Sequence, residues 1–206
     1  WCRIQWPDTL TTDEGSSSTF YSRLYHNGVT TVSENTDPFT NLVVQFGYGP
    51  RDSSPYPLDD GDLWTWTDGS ANTGYNSSTP GWEANNDEYQ ASATFNTPGD
   101  FDYAFRYSLD NGYIWRYCDR NIGAGSDGSE EGYLYGNAGK LTVNDNLCLP
   151  DPCSGHGSCD AGTGEAVCTC DQGWIIDDCS IPVCYELDAT DPMVCSGNGS
   201  CSAPDT

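Results

Sequence analysis

Apolar and polar side chains alternate most clearly over residues 101–119, FDYAFRYSLDNGYIWRYCD. Every second residue of the first half is large and apolar, which places these side chains on one face of a β-strand. They are Phe101, Tyr103, Phe105, Tyr107 and Leu109. Asp110-Asn-Gly112 favours a turn, and Tyr113, Trp115 and Tyr117 then recur at the same spacing. The pattern predicts a hairpin whose aromatic rings pack against one another on one face.

Shorter patterns of the same kind fill the first 146 residues, without helical periodicity. Predicted strands at 18–24 and 29–32 flank Asn27-Gly28, a dipeptide that favours a two-residue hairpin turn. Further strands are predicted at 42–46, 88–95 and 140–143. Six to nine strands, separated by Gly, Pro and Asn turns, predict an all-β fold in which residues 1–146 form an Ig-like or jelly-roll β-sandwich.

The chain is strongly acidic, with 31 acidic residues, 7 basic residues and a formal net charge of -24. Two of the basic residues, Arg106 and Arg116, fall on the polar face of the predicted hairpin, where we expect them to pair with Asp or backbone carbonyls. Nucleic acid and anionic membranes are not predicted as partners, because both need clustered Lys and Arg. The acidity fits Ca²⁺, a basic protein or simply a solvated surface.

Disorder does not follow from this acidity, because 7 Trp, 13 Tyr and 6 Phe can fill a core. No apolar run approaches the roughly 20 residues that a membrane-spanning helix requires. The chain begins at Trp1 without a signal peptide. We therefore expect a processed chain that is secreted or held at the cell surface.

Eleven cysteines indicate an oxidising compartment, since nine of them fall between Cys148 and Cys201. Zinc is the competing interpretation, but it usually requires C-x-x-C pairs, and the only close pair is Cys168-Thr-Cys170. The two remaining cysteines, Cys2 and Cys118, are expected to form a disulfide that ties the first strand to the end of the aromatic hairpin.

The cysteine spacing after residue 147 carries a family resemblance. The spacing is C-x4-C-x5-C-x8-C-x-C-x8-C, with the phrase CSGHGSC at 153–159 and Gly173-Trp174 after the fifth cysteine. It resembles the epidermal growth factor (EGF)-like module of the tenascin and integrin variety, over residues 147–180. The resemblance implies the pairs Cys148–Cys159, Cys153–Cys168 and Cys170–Cys179. One departure is Ile176, where the family usually has Gly.

A second phrase, CSGNGSC, occupies residues 195–201. With Cys184 it supplies the first three cysteines of another module, so residues 181–206 resemble an incomplete EGF-like module. The resemblance pairs Cys184 with Cys201 and leaves Cys195 without its fourth cysteine, so that Cys195 is unpaired here, with its partner missing, or bonded to another chain. We expect the parent protein to continue into further repeats.

Catalysis is not predicted. Only His26 and His156 are present, no nucleophile or metalloprotease motif occurs, and 31 acidic residues make any carboxylate pair unspecific. No cofactor is predicted either, although the acidic segments Asp59-Asp60-Gly-Asp62 and 85–88 leave a calcium site open. Residues 144–147 lack the Glu that precedes the first cysteine of calcium-binding EGF-like modules.

Two features point to sugars. Asn76-Ser-Ser and Asn198-Gly-Ser are N-glycosylation sequons, which are either modified or chance matches. Trp64, Trp66 and Trp82 lie in polar, loop-like surroundings. Exposed flat rings there would bind the faces of sugars, and the alternative is ordinary core packing.

Two further likenesses bear on function. GDFDYAFRYSLDNGYIWRYCD is similar to Ig-like modules of secreted bacterial hydrolases and surface proteins. A β domain followed by EGF-like repeats is similar in layout to algal mastigoneme (flagellar hair) proteins. The sequence thus favours a non-catalytic extracellular structural glycoprotein, a subunit of a filament, surface hair or matrix. Its partners would be copies of itself or matrix proteins. The alternative is a carbohydrate-binding or adhesion region, with glycans as partners.

Overall fold

The computed structural model of the protein describes residues 1–37, 39–76, 83, 85–120, 132–162 and 164–204. These residues form two units, Trp1–Asn144 and Asp145–Thr206. Regular structure is almost entirely β-strand, which confirms the all-β prediction. Among the described residues no helix has both the length and the apolar character needed to cross a membrane.

Unit 1 is a β-sandwich of two sheets, and its described residues contribute ten strands. The strands are β1 (Cys2–Trp6), β2 (Thr9–Asp13), β3 (Ser17–Leu24), β4 (Val43–Pro50), β5 (Thr65–Asp68), β6 (Ser70–Ala71), β7 (Asp87–Thr94), β8 (Gly99–Ser108), β9 (Arg116–Cys118) and β10 (Gly139–Asn144). One sheet has the order β1-β3-β7-β6. The other has the order β2-β10-β8-β4-β5, with β9 also paired to β8. Among the described residues of this unit, single-turn 3₁₀ helices lie at Gly61–Leu63 and Tyr135–Asn137.

The strand order is that of an Ig-like sandwich rather than a jelly roll. Strands β1, β3 and β7 form one layer and β4, β8 and β10 the other, as the first, second and fifth strands face the third, sixth and seventh in Ig domains. Strand β2 runs parallel to β10, while the other described pairs in the two sheets run antiparallel. The chain thus enters one sheet as β1 and joins the other as β2.

A second crossing between the sheets occurs at Gly69, between β5 and β6. The amide of Gly69 donates a hydrogen bond to the carbonyl of Val44 at 2.8 Å. A Cβ at this position would lie 3.2 Å from the carbonyl oxygen of Gln90 in the opposite sheet. Glycine therefore lets one strand pass closely between the two layers.

On the other side, the sheets are joined by β1 and β9. The amide of Ile4 donates to the carbonyl of Asp119 at 2.7 Å, and a disulfide connects Cys2 to Cys118. Between the layers lies an aromatic core with Phe20 at its centre. The ring of Phe20 stacks on Phe46 at 4.1 Å and meets the edge of Tyr103 at 5.0 Å.

The alternation along β8 holds as predicted, because Phe101, Tyr103, Phe105 and Tyr107 belong to or pack against this core. The return strand differs. The register between β8 and β9 differs by one residue from that of the predicted tight hairpin, because Phe105 pairs with Cys118 and Arg106 pairs with Tyr117. A one-residue shift exchanges the faces, so Tyr117 shares the outer face with Arg106, and Arg116 lies beside Tyr107.

The loop explains this shift. One carboxylate oxygen of Asp110 accepts hydrogen bonds from the Ser108 hydroxyl and from the amides of Tyr113 and Ile114. These bonds form a wide loop over residues 109–115 instead of the tight turn predicted at 110–112. Tyr113 is left 87% exposed rather than stacked in a hairpin.

The predicted hairpin at Asn27-Gly28 is wrong, since residues 29–32 form turns and bends. Strand β3 pairs with β1 on one side and with β7 on the other, so neither edge is free for a returning strand. Thr30 is instead buried, and its hydroxyl donates to the carbonyl of Asn85 at 3.0 Å.

Unit 2 is built from short strands. They are β11 (Gly157–Asp160), β12 (Val167–Cys170), β13 (Trp174–Ile175), β14 (Ile181–Cys184) and β15 (Leu187–Asp188). Strands β11 and β12 pair as one two-stranded sheet, and β13, β14 and β15 form a three-stranded sheet with β14 in the middle. A 3₁₀ segment at Val194–Gly197 follows.

Candidate functional site

The outer face of the six-stranded sheet carries a second aromatic cluster, separate from the core. Trp66 lies in β5 and Trp64 immediately precedes this strand. Their rings lie 5.7 Å apart in a stacked arrangement. Gly47 and Gly49 on the neighbouring strand β4 make room for them. A Cβ on Gly47 would lie 2.3 Å from the Trp66 ring, and one on Gly49 would lie 2.6 Å from the Trp64 ring.

Two interpretations were open for Trp64, a sugar-binding platform and core packing, and its surroundings fit packing. Trp64 is only 6% exposed, its indole N–H donates to the Ser53 hydroxyl at 2.9 Å, and Tyr133 packs edge-on against it. Trp66 is half-buried in the same cluster. Trp82 lies outside the described residues. A matching spacing in the sequence, G-x-G on β4 and W-x-W at 64–66, is the signal that could have revealed this cluster.

Arg106 extends the cluster. Its guanidinium lies over the rings of Trp66 at 4.0 Å and Trp115 at 4.1 Å. Two of its N–H groups donate to the side-chain oxygen of Gln45 at 2.8 and 2.6 Å. The expected partner, an Asp or a backbone carbonyl, is therefore replaced by two indoles and an amide. Burial lowers the pKa of Arg106, because the charged guanidinium loses hydration. The contacts with the two aromatic rings offset part of that loss.

The acidic loop considered for calcium, residues 59–62, forms hydrogen bonds with a neighbouring residue of its own segment. Carboxylate oxygens of Asp59 and Asp60 accept hydrogen bonds from the hydroxyl and the amide of Ser54, at 2.9 and 3.1 Å. Asp62 is exposed in the adjoining 3₁₀ turn. Within the described ranges, no three His, Cys, Asp or Glu side chains are grouped so as to hold a metal ion.

A cavity of about 620 Å³ opens at one end of the sandwich, where β8 and β9 meet the loop that joins them. Its apolar walls are Trp1, Tyr107, Leu109 and Ile114, and its polar groups are His26, Asp110 and Arg116. Tyr107 is almost fully buried, whereas Ile114 and Arg116 are exposed. No local sequence pattern indicates this cavity, because its residues come from four separate segments.

Unit 2 is held together by disulfides. The bonded pairs are Cys148–Cys159, Cys153–Cys168, Cys170–Cys179 and Cys184–Cys201, and the thiol of Cys195 is free and exposed. The repeated phrase at 153–159 has a local physical reason. A Cβ on Gly157 would lie 2.6 Å from the carbonyl of Thr169 and 3.0 Å from the sulfur of Cys179. Only glycine fits where the strands and disulfides converge.

Two neighbouring contacts complete this fold. The imidazole of His156 stacks on the indole of Trp174, with ring centres 3.4 Å apart and planes 6° from parallel. Ile176 adopts φ of 69°, the left-handed conformation that favours glycine. The departure from the family pattern at Ile176 is thus accommodated by strained backbone, and the Cys170–Cys179 bond is retained.

Residues 149–182 match the family model described as the teneurin-like EGF domain. These residues form an EGF-like domain. No curated protein matches the chain. The EGF-like domain and the five disulfides indicate an extracellular or secreted protein. EGF-like domains are themselves non-enzymatic.

The EGF-like domain is joined to the following segment by shared hydrogen bonds. Its last strand, β13, pairs with β14, and the amide of Val183 donates to the carbonyl of Gly173 at 2.8 Å. Pro204 packs against Gly173, where a Cβ would lie 2.5 Å from the proline side chain. The sequence did not predict this joint, because the two strands that form it are two and four residues long.

The glycosylation candidates are both exposed, as modification requires. Asn198 follows the 3₁₀ segment after the EGF-like domain, and its side-chain amide donates to the carbonyl of Ser196 at 3.0 Å. Asn76 lies in unit 1, but the remainder of its sequon, Ser77 and Ser78, falls outside the described residues.

Proposed function

We propose that this chain is a non-catalytic extracellular structural protein, a glycoprotein subunit of a filament, surface hair or matrix. The observation that carries the proposal is the joint between the EGF-like domain and the segment that follows it. In a structural array the position of one repeat has to fix the position of the next, and a flexible linker between repeats would prevent this.

The joint leaves little room for such flexibility. Only residues 180–183 separate the last cysteine of the EGF-like domain from Cys184. Three of them belong to β14, which is hydrogen-bonded to β13 on one side and to β15 on the other. Burial of Cys179 and Cys184 fixes both ends of this short connection. Consecutive repeats joined in this way would form a stiff rod.

Cys195 supplies a means of linking rods together. It is the one cysteine among the described residues without a disulfide partner, and its thiol is exposed. Its neighbours Cys184 and Cys201 are already bonded to each other. In an oxidising compartment an exposed thiol of this kind forms a disulfide, either with a cysteine of a following repeat, as the EGF-like pattern pairs it, or with a neighbouring chain, and the proposal takes the second.

The test is electron microscopy of the native, oxidised protein together with non-reducing gel electrophoresis. We expect regular filaments and covalent multimers that disappear on reduction. Cys195→Ser should abolish the covalent multimers, whereas the control Ser196→Ala should leave them intact. Separate, flexible particles at every concentration would reject the structural role, whatever the state of the thiol.

A further inference from the structure

We propose that the cavity lined by Tyr107 and Arg116 binds an acidic monosaccharide, a sugar ring that carries one carboxylate. The proposal goes beyond the structural role and does not rest on it, because every residue used lies in the β-sandwich. A volume of about 620 Å³ is within the roughly 300–1,000 Å³ typical of small-ligand sites.

Arg116 is the group that selects an anion. Six of the seven basic residues are engaged within the protein. Arg23, Arg51 and Lys140 form ion pairs, Arg106 binds Gln45, and Arg3 and Arg120 donate to backbone carbonyls. The guanidinium of Arg116 forms no hydrogen bond or ion pair with any residue that the structure describes. An uncommitted guanidinium at the mouth of a cavity is suited to bidentate binding of a carboxylate.

The acidic member of the cavity is engaged by its own loop. One oxygen of Asp110 is occupied by three hydrogen bonds from its own loop, donated by the Ser108 hydroxyl and the amides of Tyr113 and Ile114. The Ser108 hydroxyl also accepts a hydrogen bond from the amide of Gly112 at 2.8 Å. Asp110 therefore holds the wall of the cavity in place, so the site is formed before a ligand arrives.

His26 provides a complementary polar group. Its Nδ1 lies 3.1 Å from the carbonyl oxygen of Asn27. A carbonyl only accepts, so Nδ1 donates this hydrogen bond and Nε2 is left for the ligand. Nε2 can pair with a hydroxyl of the ligand, because a hydroxyl both donates and accepts. A ligand that bears both a carboxylate and hydroxyls thus matches Arg116 and His26 together.

The apolar walls fit the remaining surface of a sugar. The side chains of Leu109 and Ile114 present carbon atoms, which pack against the C–H face of a pyranose, and the almost fully buried Tyr107 closes the cavity behind them. The charge of the protein limits the ligand further. A formal net charge of -24 repels a polyanion, so a single acidic sugar or an isolated acidic residue of a glycan is favoured over a polyuronate.

Titration of the full chain with sodium glucuronate, glucose and 3-phenylpropionate tests the proposal, with the tryptophan indole signals followed by NMR. We expect saturable binding of glucuronate and at least tenfold weaker binding of glucose, which lacks the carboxylate. Phenylpropionate has the carboxylate but no hydroxyls, and should also bind at least tenfold more weakly. Arg116→Gln should weaken glucuronate binding about tenfold or more, while Arg3→Gln, an equal charge change outside the cavity, should not.

Ile114→Ala serves as a second variant if Arg116→Gln fails to fold, since the Ile114 side chain is 65% exposed and contributes little to packing. It should weaken glucuronate binding severalfold. The proposal is overturned if glucuronate does not bind, if glucose binds equally well, or if phenylpropionate binds better than glucuronate. It is also overturned if binding survives both cavity variants.

Discussion

The guanidinium of Arg106 lies 4.0 Å from the ring centre of Trp66, on the outer face of a sheet in a protein with only seven basic residues. The same guanidinium lies 4.1 Å from the ring centre of Trp115 and donates two hydrogen bonds to Gln45. One cation thus connects β4, β5, β8 and the loop before β9.

Replacing Arg106 with Ala should lower the free energy of unfolding by about 2 kcal/mol. Each aromatic contact contributes about 0.5–1 kcal/mol, and the aliphatic part of the side chain adds packing. Arg106→Lys should have an intermediate effect, because an ammonium keeps the charge but not the two parallel N–H groups. Urea denaturation followed by tryptophan fluorescence measures both, and Arg3→Ala is the control. Equal effects at Arg106 and Arg3 would contradict the assigned role.

Gly47→Ala should destabilise the sandwich by about 2–3 kcal/mol, because the new methyl group would overlap the Trp66 ring and displace it. Gly136→Ala is a matched control, since no atom lies within 4 Å of a Cβ at that position. Thermal unfolding of the two variants checks the prediction. If Gly47→Ala unfolds at the wild-type temperature, the ring is not held against β4.

The sequence predicted the strands whose alternation is regular, and the fold shows why others were missed. The predicted ranges for β3, β4, β7, β8 and β10 agree with the structure to within a few residues. Strands β1, β2, β5 and β6 are short and carry polar or mixed side chains, because each lies at a sheet edge or crosses between sheets. Their pairing depends on distant partners that local periodicity does not contain.

The candidate sites also divide into those that a local sequence pattern predicts and those that depend on distant residues. Cysteine spacing is local, so the EGF-like domain was recognised from the sequence. The burial of Trp64 depends on Ser53, Gly49 and Tyr133, which lie on three other segments. The position of Arg116 depends on a one-residue register shift caused by the hydrogen bonds of Asp110. Neither relationship is encoded in a short sequence pattern.

Asp87 should make the β-sandwich less stable at neutral pH than at pH 4. Burial raises the pKa of Asp87 to about 6, with the nearby charge of Asp37 adding to the shift. One oxygen of Asp87 accepts from the Asp37 amide at 2.9 Å, and the other is buried without a hydrogen bond from the described residues. The folded protein therefore holds the proton more tightly than the unfolded chain, whose Asp pKa is about 3.9.

The contribution of this proton is complete below about pH 4 and is lost as the pH rises through about 6. Two pKa units correspond to about 3 kcal/mol at most. Asp87→Asn should remove this part of the pH dependence while still accepting the Asp37 hydrogen bond. Urea midpoints at pH 4 and 7 provide the measurement, with the exposed Asp62→Asn as control. An unchanged difference between the two pH values in Asp87→Asn would refute the prediction.

Removal of the disulfide between the sheets should be costly. Cys2 and Cys118 are separated by 116 residues, and closing a loop of this length restricts the unfolded chain by about 4–5 kcal/mol in the chain-entropy model. The double variant Cys2→Ala/Cys118→Ala should lose about this amount in urea denaturation. The EGF-like disulfides should still form, as peptide mapping by mass spectrometry would show. A loss below 1 kcal/mol would mean that the bond between Ile4 and Asp119 is sufficient to hold β1 and β9 together.

The disulfides of the EGF-like domain also limit how far it can be stretched. Under tension the shortest covalent route from Cys148 runs to Cys153, crosses to Cys168, continues to Cys170 and crosses again to Cys179. The remaining residues of the domain lie in closed loops that carry no load. A pull on this segment therefore meets sulfur–sulfur bonds after very little lengthening, and the domain behaves as an inextensible link even if its hydrogen bonds are broken.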